Sequence, residues 1–445
     1  MTNETARSLT LLALIETEKE QKYSGPVLET MRRRSSLSKQ DKELFAFLYR
    51  GVLERKISLD ARLAPYLNPD NPPQSEAMWL LRLGLFQLVY ADGIKPYAAV
   101  NETVQAAKAA GYPQLAGLCN GVMRAWLRDD GKKFVLPEDP TARISAEYAV
   151  EPSLVRLLLS QYDEKTLTDY LARSFEPKRI AFRVNPLKTT EQELFQKLKA
   201  KGITVFDSPV PLCFFVNHSA ELLSDPMMRE GLYYVQDPAA QAAALALGAQ
   251  KGDTVYDPCA APGTKSFTLA GLLENEGKIL AGDLYLSRIK KIREGAGRLG
   301  ITCIRTHCGD ASRRNRSLVQ TADRLLLDVP CSGLGTLSGK PEIRWKTAGQ
   351  ISELPKIQRK ILFSSAEYVK INGILVYSTC TVNREENEAV TEAFLAERPD
   401  FERDPLPSVL SFLPEKRPGE ALIMNGDLQS DGFYICRMRR KAASN

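Results

Sequence analysis

The sequence predicts a multidomain chain: an all-α domain over residues 1–130, a small α+β linker subdomain over 145–230, and an α/β domain over 235–445 with a parallel sheet covered on both faces. Three observations carry this. The 445 residues suffice for about three domains of roughly 150 residues each. Apolar positions recur at helical spacing as far as about residue 130. From about residue 235, short apolar runs alternate with amphipathic helical ones, the pattern of strands joined by crossover helices.

In the first segment, Leu44, Phe47, Leu48 and Val52, and again Leu80, Leu83, Leu85, Leu88 and Val89, mark helices by their spacing. Turn chemistry separates the helices at Tyr23-Ser24-Gly25-Pro26, at Asn68-Pro69-Asp70-Asn71-Pro72-Pro73 and at Gly111-Tyr112-Pro113. Ser38, with Asp41 three residues on, is a capping-box variant that opens one helix. The run Asp129-Asp130-Gly131-Lys132-Lys133, followed by Pro137 and Pro140, combines charge with helix breakers and reads as a linker. Beyond it, helical segments (Leu154 to Tyr162, Leu194 to Leu198) mix with strand-like ones (Ile180 to Val184, Ile203 to Phe206, Cys213 to Val216). In the last segment strands are expected at Thr254 to Tyr256, Lys278 to Ala281, Ile301 to Arg305, Arg324 to Leu327 and Ile374 to Tyr377. Helices between them are marked by Leu286, Ile289, Ile292, Ala296 and Leu299, and by Leu354, Ile357, Ile361, Ser365 and Tyr368.

A composition 44% hydrophobic and 26% charged is that of an ordinary globular protein and excludes disorder and fibrous repeats. The stretches Leu9 to Ile15 and Met78 to Tyr90 fall short of the ~20 residues that span a bilayer, and Arg82 interrupts the second, so no membrane partner is expected. Glu4 precedes the first apolar run, Glu16 and Glu18 follow it, and no small-residue cleavage site is present, which argues against a secretory leader and for a cytoplasmic location. The eight cysteines form no CxxC pair and only His218 and His307 accompany them, so neither a zinc site nor a disulfide framework is expected. A net charge of +6 is mild for a nucleic-acid binder and becomes informative only where it is clustered.

The first strand of the α/β segment runs into Asp257-Pro258-Cys259-Ala260-Ala261-Pro262-Gly263-Thr264-Lys265 and then a helix. Small residues at this turn let a cofactor approach backbone amides at the carboxyl end of the strands, where ligands of open α/β sheets bind. Neither the Walker spacing nor GxGxxG is present. Asp283, Asp310 and Asp328 follow three further strands. A single such Asp is commonly a turn or capping residue, but three at corresponding strand ends suit ribose hydroxyls, an adenine amino group and a cationic ligand, which together describe S-adenosylmethionine. Asp328-Val329-Pro330-Cys331-Ser332-Gly333 and Tyr377-Ser378-Thr379-Cys380-Thr381 each place a cysteine just past a strand on this same side.

These motifs, with Asn383-Arg384-Glu385-Glu386-Asn387-Glu388 and Asp431-Gly432-Phe433-Tyr434, resemble those of the Sun family of RNA cytosine-5 methyltransferases. The N-terminal segment, through Val100-Asn101-Glu102-Thr103-Val104 and Cys119-Asn120-Gly121-Val122, is similar to the NusB-like helical RNA-binding fold. The combination resembles the bacterial 16S rRNA members, over nearly the whole chain. It implies a Rossmann-like methyltransferase domain that uses S-adenosylmethionine, with 16S rRNA as partner; a tRNA or 23S rRNA substrate, or a mainly RNA-binding role in ribosome assembly, are the alternatives, and a monomer without a metal is expected. Thr264 stands where the family commonly has a second glycine.

Methylation at C5 of cytosine needs a thiolate to add to C6, because C5 alone is a poor nucleophile. The resemblance implies Cys380 as that nucleophile, with Cys331 assisting removal of the C5 proton and release of product. Spacing does not assign these roles, since the similar DNA enzymes attack with the Pro-Cys cysteine. Asp328 suits either the cytosine edge or the cofactor, and Lys265 is placed to orient Asp328 or the base. Cys259 to Lys265, Asp283, Asp310 and Asp328 make up the expected cofactor site. Three basic clusters suggest a phosphate-tracking surface: Arg288, Lys290, Lys291, Arg293, Arg298 and Arg305; Arg313, Arg314 and Arg316; and Arg437, Arg439, Arg440 and Lys441.

Overall fold

The computed structural model describes residues 4–19, 24–217, 219–424 and 426–442, so Tyr23 and His218 lie outside the described residues. Packing divides the chain into two compact units: Met1–Ala172 with Gly339–Gln350, and Arg173–Ser338 with Ile351–Asn445.

The first unit is helical, as its apolar periodicity predicts. Ser38 caps the helix Lys39–Glu54: its hydroxyl accepts from the Asp41 amide (3.1 Å) and donates to the Asp41 carboxylate (2.7 Å). Gly51 of this helix is required by packing, because a Cβ there would lie 2.1 Å from the Phe86 ring. Helix Ser75–Val89 is buried on nearly every side, and Arg82 at its centre is neutralised by Asp60 (2.6 Å) and covered by the Trp79 ring (4.3 Å). Pro26 falls near the start of the helix Ser24–Arg34, where a missing amide proton costs nothing. The helices Pro140–Tyr148 and Pro152–Leu159 pack with this unit. So does Gly339–Gln350, a segment no sequence pattern marked. Its Trp345 Nε1 donates to the Leu53 carbonyl (3.2 Å), Glu342 accepts from Ser24 Oγ (2.8 Å), and buried Arg344 donates to the Tyr148 carbonyl (3.0 Å).

The second unit holds two sheets. Strands β1 (Ala181–Val184), β2 (Val205–Asp207), β3 (Cys213–Val216) and β4 (Tyr233–Val235) form an antiparallel sheet in the order β2-β3-β1-β4. The larger sheet comprises β5 (Thr254–Asp257), β6 (Lys278–Asp283), β7 (Ile304–Cys308), β8 (Ala322–Asp328), β9 (Val369–Thr379), β10 (Phe401–Arg403), β11 (Glu415–Arg417), β12 (Glu420–Ile423) and β13 (Phe433–Arg440). Its order is β11-β12-β13-β9-β8-β5-β6-β7, with β10 pairing β13. Strands β5 to β9 are parallel, and Leu325, Leu326, Leu327, Leu375 and Val376 are fully buried, as expected of strands covered on both faces.

Two expectations are corrected. The sheet is not wholly parallel: β10 to β13 join it antiparallel. The arginines of β13 hide its strand character in sequence and present it as a basic run. The strand expected from Ile301 begins at Ile304, because Ile301 closes the preceding helix Leu286–Leu299. Gly300 takes the left-handed conformation (φ 72°), and the Ile301 amide reaches back to the Ala296 carbonyl (2.9 Å). No helix among the described residues is long and apolar enough to cross a membrane.

Candidate active site

Because β5, β6, β8 and β9 are neighbouring parallel strands, their carboxyl ends bring most of the expected site residues together. The β5 turn begins at Asp257, buried at the strand end, whose Oδ2 accepts from Ser266 Oγ (2.6 Å) while Oδ1 has no hydrogen-bond partner. Burial pushes the Asp257 carboxyl up to about 7; Ser266 and Lys265 oppose the shift and Asp328 adds to it. In the turn, the Ala260 amide donates to the Gly282 carbonyl (2.8 Å), and the Gly263 amide donates to Ala260 (2.7 Å). Gly263 has φ 111°, a conformation that favours glycine, and opens the helix Thr264–Leu272. Ala261 precedes Pro262 through a cis bond. Thr264, in the first turn of that helix, accepts through its carbonyl from Thr268 Oγ1 (3.1 Å). The Cys259 thiol is pushed up by burial and by Asp257, Asp328 and Asp283 around it, so it holds its proton.

Asp283, at the end of β6, is buried; it accepts from the Tyr285 amide (3.1 Å) and pairs with Arg288 (3.2 Å), which also donates to the Ala261 carbonyl (2.9 Å). Arg288 therefore ties the β6 carboxylate to the β5 turn. Asp310, beyond β7, is exposed, and its carboxylate caps its own loop by accepting from the Ser312 amide (2.9 Å) and hydroxyl (2.7 Å). Those bonds hold it below the usual carboxylate range. Asp310 also lines a pocket with Tyr256, Pro258, Gly282 and His307 beside the strand ends.

Asp328 ends β8. Its Oδ2 accepts from Lys265 Nζ (2.7 Å) and its Oδ1 from Ser378 Oγ of β9 (3.1 Å). Burial alone would lower the Lys265 ammonium, but Asp328 outweighs it and raises Lys265 overall, with a further contribution from Cys380. Lys265 is thus paired with Asp328.

The two motif cysteines meet: Cys331 Sγ and Cys380 Sγ are 3.2 Å apart. They are joined by the parallel register of β8 and β9, which sets Asp328 opposite Ser378. The Cys331 thiol is pushed well above its usual range by its hydrogen bond to Cys380, by burial, and by the charges of Cys380, Glu386 and Asp328. Behind Cys380, the Gly335 amide donates to the Cys380 carbonyl (3.0 Å) and the Gly432 amide donates to the Gly335 carbonyl (2.8 Å). A Cβ on Gly335 would lie 1.9 Å from the Gly432 carbonyl oxygen, which gives Gly432 of the Asp431-Gly432 motif a packing role.

Sequence reasoning missed Asp257, Ser378 and Glu386 as parts of this site. Asp257 and Ser378 lie inside motifs whose cysteines, glycine or lysine carry the more recognisable chemistry, and Glu386 lies inside a motif that has none of these. In the third basic cluster, Arg437 and Arg439 both pair with Asp404 (2.7 Å each), Arg440 with Asp400 (3.2 Å) and the more exposed Lys441 with Glu402 (4.0 Å), so Arg437 and Arg440 at least are strand-holding ion pairs. In the first cluster, Arg298 donates to the Met228 carbonyl and Arg293 to Thr306 Oγ1, while Lys290, Lys291 and Arg305 are exposed. In the second, Arg313 is 86% exposed beside Asp310 (3.3 Å), Arg314 reaches Glu367 (3.4 Å), and Arg316 is exposed.

A family model described as 16S rRNA methyltransferase RsmB/F matches residues 244–439, and one for the NusB family matches residues 4–128. The probable ribosomal RNA small subunit methyltransferase B of Bacillus subtilis is 35% identical, over 99% of this chain and 100% of its own. The protein of the same description from Synechocystis is 32% identical, over 98% of this chain and 99% of its own. The crystal structure of PH0851 shares the fold at a TM-score of 0.80 and 23% identity, covering 98% of this chain and 99% of that one.

Proposed function

Because the chain belongs to the RsmB/F family of rRNA methyltransferases, we propose that it methylates C5 of a cytosine in 16S rRNA through a covalent cysteine–C6 adduct, with Cys380 as nucleophile and Cys331 as the base. S-adenosylmethionine supplies the electrophilic methyl group when bound. The β5 turn suits it: Asp257 offers a buried acceptor atom without a partner, and Gly263 and Gly282 let the turn pack closely, since a Cβ would lie 2.6 Å from the Phe267 ring at the first and 3.2 Å from the Pro258 backbone at the second. Asp283 and Asp310 are the carboxylates available to its ribose and adenine. A small-subunit rRNA substrate also favours a cytoplasmic site of action.

The observation that carries the reading is the meeting of the two motif sulfurs, 3.2 Å apart, at the strand ends that also hold the Lys265–Asp328 pair. Cys380 is among the groups that raise the Lys265 ammonium, and the Glu386 and Asp328 carboxylates are among those that raise the Cys331 thiol. A nearby cation favours a thiolate and nearby anions favour a thiol. Cys380 then attacks C6, and the electron pair displaced from the C5–C6 bond makes C5 nucleophilic. Once Cys380 is a thioether, Cys331 loses the hydrogen bond and charge that held its proton most strongly. The proton Cys331 gives up balances the one the ring nitrogen gains, and the ring nitrogen releases its proton to solvent as the product leaves. The resulting Cys331 thiolate takes the C5 proton, the C5–C6 double bond re-forms, and the C6–S bond breaks to return Cys380 as thiolate. Asp328, oriented by Lys265 and Ser378, is placed to hold the cytosine edge during addition.

The test is methyl transfer from labelled S-adenosylmethionine to separated, unmodified 16S rRNA, 23S rRNA and tRNA, with wild type beside Cys380→Ala and Cys331→Ala. Label on 16S rRNA as 5-methylcytosine, abolished in Cys380→Ala, is expected. Label on tRNA or 23S rRNA instead refutes the substrate, and full activity of Cys380→Ala refutes the nucleophile.

A further inference from the structure

We propose that Glu386, together with Asn387, is a positioning residue that fixes the spacing of the two cysteine turns and so sets Cys331 for removal of the C5 proton. The inference rests on the role given to Cys331 above. Beyond the charge that Glu386 sets beside Cys331, the mechanism gives no role to the motif Asn383-Arg384-Glu385-Glu386-Asn387-Glu388, yet Glu386 and Asn387 are fully buried beneath the two turns.

Their hydrogen bonds bracket each cysteine by its two neighbours. Glu386 Oε2 accepts from the Ser332 amide (2.8 Å) on one side of Cys331. It also accepts from Gln358 Nε2 (2.9 Å), which donates in turn to the Pro330 carbonyl on the other side (3.0 Å). Asn387 does the same for Cys380: its Oδ1 accepts from Thr379 Oγ1 (2.5 Å), and its Nδ2 donates to the Thr381 carbonyl (2.9 Å). A bond between Ser332 Oγ and Thr381 Oγ1 (2.8 Å) closes the frame, and Tyr377 OH anchors it through the Glu386 carbonyl (2.7 Å).

The site calls for a carboxylate in particular. The remaining oxygen, Oε1, accepts from Asn383 Nδ2 (3.1 Å) and, more weakly, from Thr381 Oγ1 (3.5 Å), so every named partner of the carboxylate is a donor. The Asn383 amide orientation is fixed independently, because its Oδ1 accepts from the Glu385 amide (3.2 Å). A glutamine at 386 would turn its own NH2 group toward the donors on one side, so the bonds to the Cys331 turn and to Asn383 could not both be kept and the frame would shift, while Asn387 still held the Cys380 turn.

The consequence is specific to one step. Addition of Cys380 to C6 and methylation of C5 proceed, but elimination needs the C5 proton to reach Cys331 Sγ before the C6–S bond breaks. A displaced Cys331 therefore leaves the methylated base bound to Cys380.

The experiment quenches reactions of wild type, Cys331→Ala, Glu386→Gln and Gln358→Met with 16S rRNA and labelled S-adenosylmethionine, and resolves covalent protein–RNA complexes on denaturing gels. Glu386→Gln is expected to turn over about 10²-fold more slowly, the cost of roughly an ångström of misplacement. It should accumulate adduct as Cys331→Ala does, with cofactor affinity within about twofold of wild type. Gln358→Met, which leaves the carboxylate in place and removes one donor, is expected to accumulate less, and it decides the matter if Glu386→Gln fails to bind cofactor. Adduct in Cys331→Ala but in neither other variant overturns this inference alone; no adduct in Cys331→Ala overturns the role of Cys331 beneath it.

Discussion

Replacing Arg437 by Met removes a buried cation from a strand, whereas replacing Arg313, Arg314 and Arg316 by Ser removes cations from an exposed loop, and the two changes separate stability from RNA binding. Arg437 has a side chain 10% exposed; it pairs with Asp404 (2.7 Å) and donates to the Ala246 carbonyl (2.5 Å). Its loss leaves Asp404 to Arg439 alone and the carbonyl without that donor. Breaking a buried pair costs about 3–5 kcal/mol, and the surviving Arg439 contact puts the expected value near the low end, about 3 kcal/mol. For a unit of this size that corresponds to a fall in Tm of about 6–12 °C. The loop variant loses no buried contact and should melt with wild type. Its signature is the salt dependence of RNA binding, where each lost phosphate contact lowers the log–log slope by about 0.7–0.9. Arg313 and Arg314 share their charge with Asp310 and Glu367, so the drop should lie between about 0.7, for Arg316 alone, and about 2–3, for all three. The assays are thermal unfolding and RNA binding between low and moderate salt, at a temperature where both variants are folded. A flattened slope in Arg437→Met with an unchanged Tm would refute the assignment of β13 to structure, and an unchanged slope in the loop variant would remove that loop from the RNA surface.

Three further outcomes follow from the geometry. Asp257, unfolded near its ordinary value, is raised to about 7 when folded, so the folded state binds the extra proton; its favourable contribution is complete below about pH 4 and is lost as pH rises through about 7. Asp257→Asn should therefore gain stability relative to wild type from pH 4.5 to pH 8 in denaturant titrations, and a constant difference would contradict the raised carboxyl. Gly335→Ala forces a Cβ to 1.9 Å from the Gly432 carbonyl; turnover should fall by more than tenfold with the first unit's melting unchanged, and near-normal turnover would show that the Cys380 turn tolerates movement. Lys265→Met leaves Asp328 with Ser378 and removes the cation that acts on Cys380, so the acidic limb of the rate–pH profile should move to higher pH, as read from single-turnover methylation, and an unmoved limb would separate Lys265 from the nucleophile.

Periodicity made the helical unit and the parallel strands legible, because burial on one or both faces leaves a pattern that repeats along the chain. What it did not expose are features made by residues distant in sequence. Arg437, Arg439 and Arg440 look basic until Asp404 and Asp400 are brought beside them by the pairing of β10 with β13. Gly339–Gln350 carries no pattern of its own, since its anchors are single side chains such as Trp345 and Arg344 bonding to backbone carbonyls in the first unit. Ile301 is apolar both as a strand residue and as a helix-closing one, and only the left-handed Gly300 before it decides between them.

The site divides along the same line. That two cysteines, a lysine and several strand-end carboxylates would gather at one edge of the sheet followed from their positions at strand ends. Which cysteine attacks did not, because two thiols placed equivalently past adjacent parallel strands are equivalent in sequence. Groups that approach from elsewhere bear on the pair: Lys265 from the helix after β5 interacts with Cys380, and Glu386 from the loop after β9 with Cys331 and its turn. A reaction in which one sulfur must start as thiolate and the other must keep its proton until the first is consumed needs unlike surroundings around neighbouring atoms. A shared hydrogen bond at 3.2 Å makes the proton on Cys331 conditional on the state of Cys380. On this view the order of the chemical steps is set by the pair itself, and Cys331→Ser, whose hydroxyl would keep its proton after Cys380 is alkylated, should trap the adduct as completely as Cys331→Ala; release of product by the serine variant at near wild-type rate would show that another base takes the C5 proton.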